Sequence, residues 1–246
     1  MEALIIRSLS KNFNIKGKEV KALNNVNLFI EEGSFTSIVG KSGCGKTTLL
    51  KIICGLEQQT EGEINFGQTI SEEDRAKRVG IVFQEPRLMP WLTVEQNMAF
   101  PLARNRDKEE VYYTVHKYLD MLGLENFKDA YPAQISGGMA QRVALGRTLC
   151  YNPEVILMDE PLGALDAFNR RKLQNEFINI FRENNKTIIF VTHDVEEAIY
   201  LGQKVVVLDK GSVLSETPVP LGYYRDAASL EFIRLREQIM DQLLST

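Results

Sequence analysis

Gly40-Lys41-Ser42-Gly43-Cys44-Gly45-Lys46-Thr47-Thr48 is the stretch whose reading decides the fold. It follows Ser34-Phe35-Thr36-Ser37-Ile38-Val39, which alternates like a strand. It opens Leu49-Leu50-Lys51-Ile52-Ile53, which reads as a helix ended by Gly55. A strand, a glycine loop, Gly-Lys-Thr and a helix, in that order, form the context of a phosphate-binding P-loop. Glycines let backbone N–H groups converge on phosphate oxygens without Cβ clashes. The helix N-terminus adds roughly half a positive charge at the same point. Lys46 can reach the β- and γ-phosphates, the Thr47 hydroxyl can hold Mg²⁺, and Thr48 is a further phosphate donor. Cys44 lies two residues before Lys46 at this helix start. That setting favours a thiolate, so a lowered pKa and an accessible thiol are expected, more reactive than Cys54 or Cys150. The alternative is a small residue chosen for fit, with an inert sulfur.

The rest of the chain limits what such a loop can serve. It has 246 residues, 44% hydrophobic and 25% charged, an ordinary globular composition. With 29 Lys+Arg against 33 Asp+Glu the formal charge is −4, which argues against a nucleic-acid partner held by a general basic field. No apolar run approaches the roughly 18 residues of a membrane span, and no signal-peptide pattern follows Met1. Three cysteines without paired spacing suggest reduced thiols in a cytoplasmic protein. Service to a membrane would then come from its cytoplasmic face, through a partner.

Before the loop, Ala3 to Leu9 and Val26 to Ile30 read as strands, with Phe13 in a polar loop, Asn12-Phe13-Asn14. Val79 to Phe83 is a strand ending at Gln84, and Glu85 to Trp91 carries two prolines and cannot be regular. Thr93 to Gln96 reads as a capping box, and Asp107 starts a helix with the stripe Val111, Val115, Leu119 and Leu122. His116, on a polar stretch of that helix, reads as a solvated side chain. Strand patterns resume at Val155 to Met158, Thr187 to Val191, Val205 to Leu208 and Ser212 to Ser215. A helix with Leu173, Phe177, Ile180 and Phe181 on one face turns at Asn184-Asn185. Another is capped by Asp194 and closed by Gly202. Ser229 to Leu244 reads as an amphipathic helix. The fold class expected is α/β: a P-loop NTPase core with a mostly parallel sheet, flanking helices, an N-terminal antiparallel β part and an inserted helical subdomain. The expected division is 1–84 and 152–216 as core, 85–151 as the helical subdomain and 217–246 as a helical tail.

Two more stretches carry chemistry. Val155-Ile156-Leu157-Met158 delivers Asp159 and Glu160 to a strand's C-terminal end, where α/β sheets hold ligands. Asp159 suits Mg²⁺, through water, and Glu160 suits a water attacking the γ-phosphate. Ser136-Gly137-Gly138 leads into a helix from Met139, and a hydroxyl with free N–H groups makes a second anion site there. It can equally be a plain helix cap.

In these parts and their order the chain resembles the ATPase subunit of an ABC transporter, from Phe13 to about Glu216. The correspondence runs through the P-loop Gly40 to Thr47, Gln84, the signature Ser136-Gly137-Gly138, Asp159-Glu160, the Leu165-Asp166 loop and His193. The signature begins with Ile135 and continues with Met139, where Leu and Gln are usual, and Phe13 replaces a more usual Tyr. The resemblance implies an ATPase with the substrate ATP, the cofactor Mg²⁺ and two copies in a homodimer or pseudo-dimer. Each signature, with Ser136, Gly137, Gly138 and Gln141, would cap the ATP held by the other copy. Phe13 would stack on adenine. Gly40, Lys41, Ser42, Gly43, Cys44, Gly45, Lys46, Thr47 and Thr48 would hold the phosphates, and Thr47, Gln84 and Asp159 the metal. Glu160, His193, Gln84 and Lys46 would be catalytic, with Asp166 passing between the sites.

Phe83 to Val94 and Asp159 to Asp166 resemble importers of the nitrate/sulfonate/taurine branch. That implies membrane-spanning permease subunits, a solute-binding protein acting indirectly, and a peripheral place on the cytoplasmic face of the membrane. Ending about thirty residues after the core, the chain is expected to lack the regulatory domain of sugar importers. The competing class is a transport-free ABC ATPase acting on nucleic acid or ribosomes, which would bring a coiled-coil insertion or two cores. A P-loop nucleotide kinase would lack the Ser-Gly-Gly signature. Met89 and Trp91 are expected beside the groove that receives a permease loop, with packing inside the helical part as the alternative.

Overall fold

The computed structural model describes residues 2–67, 78–102, 107–163, 166–184 and 186–244. The chain opens on two long strands, β1 (Glu2–Ile15) and β2 (Lys18–Glu31), which pair antiparallel around Lys16-Gly17. β3 (Phe35–Val39) leads into helix α1 (Lys46–Ile53), and β4 (Glu61–Asn65) returns to the free edge of β1. β5 (Val79–Val82) is followed by helices α2 (Val94–Ala99), α3 (Lys108–Met121) and α4 (Gly137–Tyr151). Then come β6 (Val155–Asp159), α5 (Ala167–Asn184), β7 (Thr187–Thr192) and α6 (Val195–Leu201). β8 (Lys204–Asp209), β9 (Ser212–Pro218) and α7 (Leu230–Leu244) complete the chain.

Two sheets result. The small one runs β2-β1-β4 and is antiparallel; the large one runs β5-β6-β7-β3-β8-β9 and is parallel except for β9. The parallel strands of the large sheet are buried on both faces, and their two-residue period divides the side chains between two cores. Phe35, Ile188, Phe190, Val205 and Val207 face a core shared with α2–α7. Ile38, Ile189, Val191, Val206 and Leu208 face a second core with α1 and the small sheet. The parallel strands thus end together at the edge where β3 meets α1.

Capping reads locally and holds. The Thr93 hydroxyl accepts from Gln96 N while the Gln96 side chain accepts from Thr93 N. Asp194 accepts from Glu196 N and Glu197 N at the start of α6. The tail helix buries Phe232, Ile239 and Leu243, with Leu235 partly buried beside them.

Two local readings are corrected. β1 and β2 run well past the apolar stretches that announced them, so Phe13 stands in a strand opposite Val20, not in a loop. The polar residues that looked like loop continue the strand: Asn12 Nδ2 donates across to Glu19 Oε1 of β2 at 2.7 Å, and Lys11 Nζ donates to Glu57 Oε1, in the turn after α1, at 2.7 Å. His116 is not a solvated side chain. Its ring sits half-buried between Glu95 Oε1 at 3.2 Å and Glu125 Oε2 at 3.3 Å, stacked at 4.0 Å on Tyr112. It ties α3 to the start of α2 and to the turn after α3. Asn185 lies outside the described residues.

Candidate functional site

The loop from Gly40 to Gly45 is shaped by what surrounds it. A Cβ at Gly40 would collide with the Leu208 carbonyl of β8. One at Gly45 would come 2.6 Å from the Ala22 carbonyl, at a φ of 109° that side chains avoid. Behind the loop Cys44 is buried in the core with Leu49 and Leu208. Burial pushes its thiol pKa up, and this outweighs the opposing field of Lys46. The expectation of an accessible thiol with a lowered pKa is therefore corrected. The sulfur points inward because the loop wraps around it, and the helix-start argument took no account of lost hydration.

Lys46 is 5% exposed, and its ammonium donates to the carbonyls of Gly40 at 2.8 Å and Lys41 at 3.2 Å. It lies 3.8 Å from Glu160 Oε1. Thr47 Oγ1 donates to Asp159 Oδ1 at 3.1 Å. Burial raises the Asp159 pKa; the Thr47 hydrogen bond opposes this and the neighbouring Glu160 charge adds to it. Glu160 Oε2 is 2.9 Å from His193 Nδ1. Glu160 sits at φ 46°, a conformation that costs a non-glycine residue on the order of 1–3 kcal/mol. Its N–H donates to Val191 O at 2.9 Å, which fixes the turn that aims the carboxylate. Residues far apart in sequence thus converge where β3, β6 and β7 end. A lysine and glycine-loop N–H groups can hold polyphosphate, a hydroxyl and a carboxylate offer hard oxygen donors, and a carboxylate–imidazole pair can orient a water.

Other expected residues lie further out. Gln84 follows β5; a Cβ added to Gly163, in the turn after Glu160, would be 3.6 Å from its Nε2. Ser42 is exposed on the loop and Thr48 partly buried in α1. Phe13 lies on β1, with Lys11 Nζ 4.8 Å from its ring centre. Asp166 is exposed just before α5, where its side chain accepts from Phe168 N at 3.1 Å; Ala164 and Leu165 lie outside the described residues. Ser136 is the N-cap of α4, its hydroxyl accepting from Met139 N at 3.3 Å. The cap and the anion site are compatible, because Gly137 beside it is exposed with open space around it. Gln141 differs. It is 4% exposed and its amide donates inward to Phe83 O at 3.0 Å, so it does not face a second copy as the signature reading expected. The helical period turns position 141 toward β5.

Sequence reasoning missed Glu197. Thr192 Oγ1 donates to its Oε2 at 2.7 Å, and Gln174 Nε2 reaches its Oε1 at 3.5 Å, both within the protein. Burial pushes its carboxyl pKa up. This network anchors the residue before His193, and no local pattern announces it. Asn97 was missed as well: buried in α2, it donates to the carbonyls of Met89, Leu92 and Thr93 and accepts from Met89 N, which shapes the irregular segment after Gln84.

A glycine loop between a parallel strand and a helix, with a carboxylate pair on the strand two places away, defines a P-loop nucleotide-hydrolysing cassette. Residues 23–163 match the ABC transporter family, and the chain belongs to that family as an ATP-hydrolysing subunit. It is 43% identical to the aliphatic sulfonates import ATP-binding protein SsuB of Bacillus thuringiensis subsp. konkukian, over 96% of this chain and 94% of that one. It is 41% identical to the taurine import ATP-binding protein TauB of Roseobacter denitrificans, over 99% of this chain and 94% of that one. Among solved structures it resembles a dimeric ATP-binding cassette in a post-hydrolysis state bound to ADP and Pi. The TM-score is 0.80 at 34% identity, covering 89% of this chain and all of that one. Among the described residues no helix is long and apolar enough to cross a membrane.

Proposed function

We propose that two copies of this chain close around ATP and power the import of an organic sulfonate through membrane-spanning permease subunits. The carrying observation is the cluster Lys46–Glu160–His193 beside Thr47–Asp159 at the strand ends. The solute class follows the names of the sulfonate and taurine relatives. The ATP phosphates lie along the glycine loop at the start of α1, with Lys46 on the β- and γ-phosphates. Phe13 stacks on the adenine. Thr47, Asp159 and Gln84 would hold Mg²⁺ through hard oxygen donors, and the chemistry it would supply is compensation of the phosphate charge. Glu160 accepts the proton of the attacking water as its oxygen bonds to the γ-phosphorus, and the bond to the β–γ bridging oxygen breaks to leave ADP. His193 holds Glu160 in place through the 2.9 Å contact and faces the γ-phosphate.

Ser136, Gly137 and Gly138 of the second copy cover that phosphate, and Asp166 lies between the two sites. Residues 1–84 with 152–216 serve as the catalytic core, 85–151 as the helical part that meets the permease, and 217–246 as a tail packed on the core. Support for the permease surface comes from Trp91, 71% exposed on the segment that Asn97 shapes. The protein then works at the cytoplasmic face of the membrane, with a solute-binding protein acting on the far side. The test is purification from membranes followed by reconstitution with the binding protein. A multi-span partner should co-purify, and an alkanesulfonate or taurine should accelerate ATP hydrolysis. Failure to co-purify overturns the importer reading; co-purification without stimulation by either solute overturns the solute class.

A further inference from the structure

Helix α6 starts on a complete cap: Asp194 Oδ1 accepts from Glu196 N at 2.9 Å and from Glu197 N at 3.2 Å. The Glu197 carboxylate is therefore not needed at that helix end, yet it turns inward and the residue is 6% exposed. A buried carboxylate is a poor source of stability, because lost hydration offsets what its partners return. Here the partners converge on one neighbour. Thr192, the last residue of β7, donates its hydroxyl to Glu197 Oε2 at 2.7 Å and accepts from Asp194 N at 3.1 Å. That hydroxyl thus ties together the two residues that flank His193. Glu197 Oε1 faces α5, where Gln174 Nε2 donates at 3.5 Å and Arg170 Nε lies at 3.8 Å. Arg170 Nη1 also stands 3.9 Å from Asp194 Oδ2. Thr192 and Gln174 are buried, whereas the His193 ring projects outward onto Glu160. The imidazole is therefore placed from behind, by the backbone on either side of it.

We propose that Glu197 is a positioning residue for hydrolysis: through Thr192 it fixes the backbone on both sides of His193, and so the aim of the imidazole at the γ-phosphate. The inference rests on the role given to His193 above. The arrangement requires two acceptors at position 197, because the Thr192 hydroxyl and the Gln174 amide reach its two oxygens from different elements. A carboxylate supplies both. An amide has one acceptor and one donor, so Glu197→Gln must give up one bond and set donor against donor. Exchanging the two side chains, Glu197→Gln with Gln174→Glu, restores the match. The amide then donates to the carboxylate on α5, and its oxygen still accepts from Thr192.

The experiment joins kinetics to a direct view of the ring in the full chain. Glu197→Gln should lower kcat for ATP hydrolysis by up to roughly 10²-fold, the cost of misplacing a reacting group by about 1 Å, and leave KM little changed. The exchanged pair should recover turnover. The chain has two histidines, His116 and His193, so their ring signals in histidine-labelled protein are read separately by NMR. Glu197→Gln should shift those of His193 and leave those of His116 in place, and the exchange should bring them back. Thr192→Ser, which keeps the hydroxyl, should exceed Thr192→Val in turnover, and this comparison decides the matter if Glu197→Gln does not fold. Parent-like kcat and His193 signals in Glu197→Gln, no recovery on exchange, or equal turnover in the two Thr192 variants overturns the proposal. Parent-like turnover in His193→Ala instead overturns the role of His193 on which it rests.

Discussion

Replacing Glu160 by Gln separates the shape of the site from its charge. The amide keeps the size of the carboxylate and can still hydrogen-bond His193 Nδ1, now at 2.9 Å, through its oxygen or its nitrogen. The turn is held independently by Glu160 N on Val191 O and Gly163 N on Glu160 O. Folding should therefore change little. The His193 side chain is 59% exposed, and a contact so open to water contributes only about 0–1 kcal/mol. Lys46 keeps its two carbonyl acceptors when the charge 3.8 Å away is removed. What disappears is the negative oxygen that takes the water's proton. Loss of a positioned general base costs roughly 10²–10⁴-fold in turnover, or about 3–5 kcal/mol on the barrier. ATP binding should survive, and the chain should accumulate as an ATP-bound pair. Turnover is measured by phosphate release, and pairing by sedimentation with and without ATP. Turnover within a few-fold of the parent, or a monomer in saturating ATP, would refute the assignment of Glu160.

Other outcomes follow from the same geometry. Cys54, partly exposed at the end of α1, should react with a maleimide before Cys44, whose raised pKa leaves little thiolate at neutral pH; peptide-level labelling showing Cys44 ahead would contradict its burial. Asp159→Asn should raise the melting temperature at neutral pH while abolishing turnover, because burial penalises the charged carboxylate. A carboxyl whose pKa is raised on folding contributes stability below its unfolded pKa and loses it as pH rises through the folded value. The gap between variant and parent should therefore widen with pH, and a gap that stays flat from about pH 4 to 8 would count against the buried charge. Met89→Asp should leave hydrolysis by the isolated chain intact and uncouple transport in the reconstituted assembly, while Trp91 emission shifts on permease binding in the parent. Loss of both activities together would mean that Met89 serves packing.

By itself the sequence determined the features that depend on neighbours along the chain. The glycine loop is legible because strand, loop and helix adjoin in sequence, and so are the Thr93 and Asp194 caps and the apolar stripe on α7. The parallel sheet follows from apolar strands separated by helical stretches, since both sheet faces then need cover. The order of the remaining motifs, set beside the loop, pointed to the family. Tertiary structure alone decided which way side chains face across elements. The first two strands outran their apolar cores because polar cross-strand partners continue them, which no single stretch reveals. Cys44 and Gln141 turned inward and His116 became a joint between two carboxylates for one reason. Burial is set by whatever folds back from far along the chain, and lost hydration or a distant carbonyl then outweighs the local field. The convergence of Lys46, Thr47, Asp159, Glu160 and His193 belongs to this second kind. Sequence named each residue, but parallel pairing of β3, β6 and β7 was needed to bring their ends within hydrogen-bonding reach.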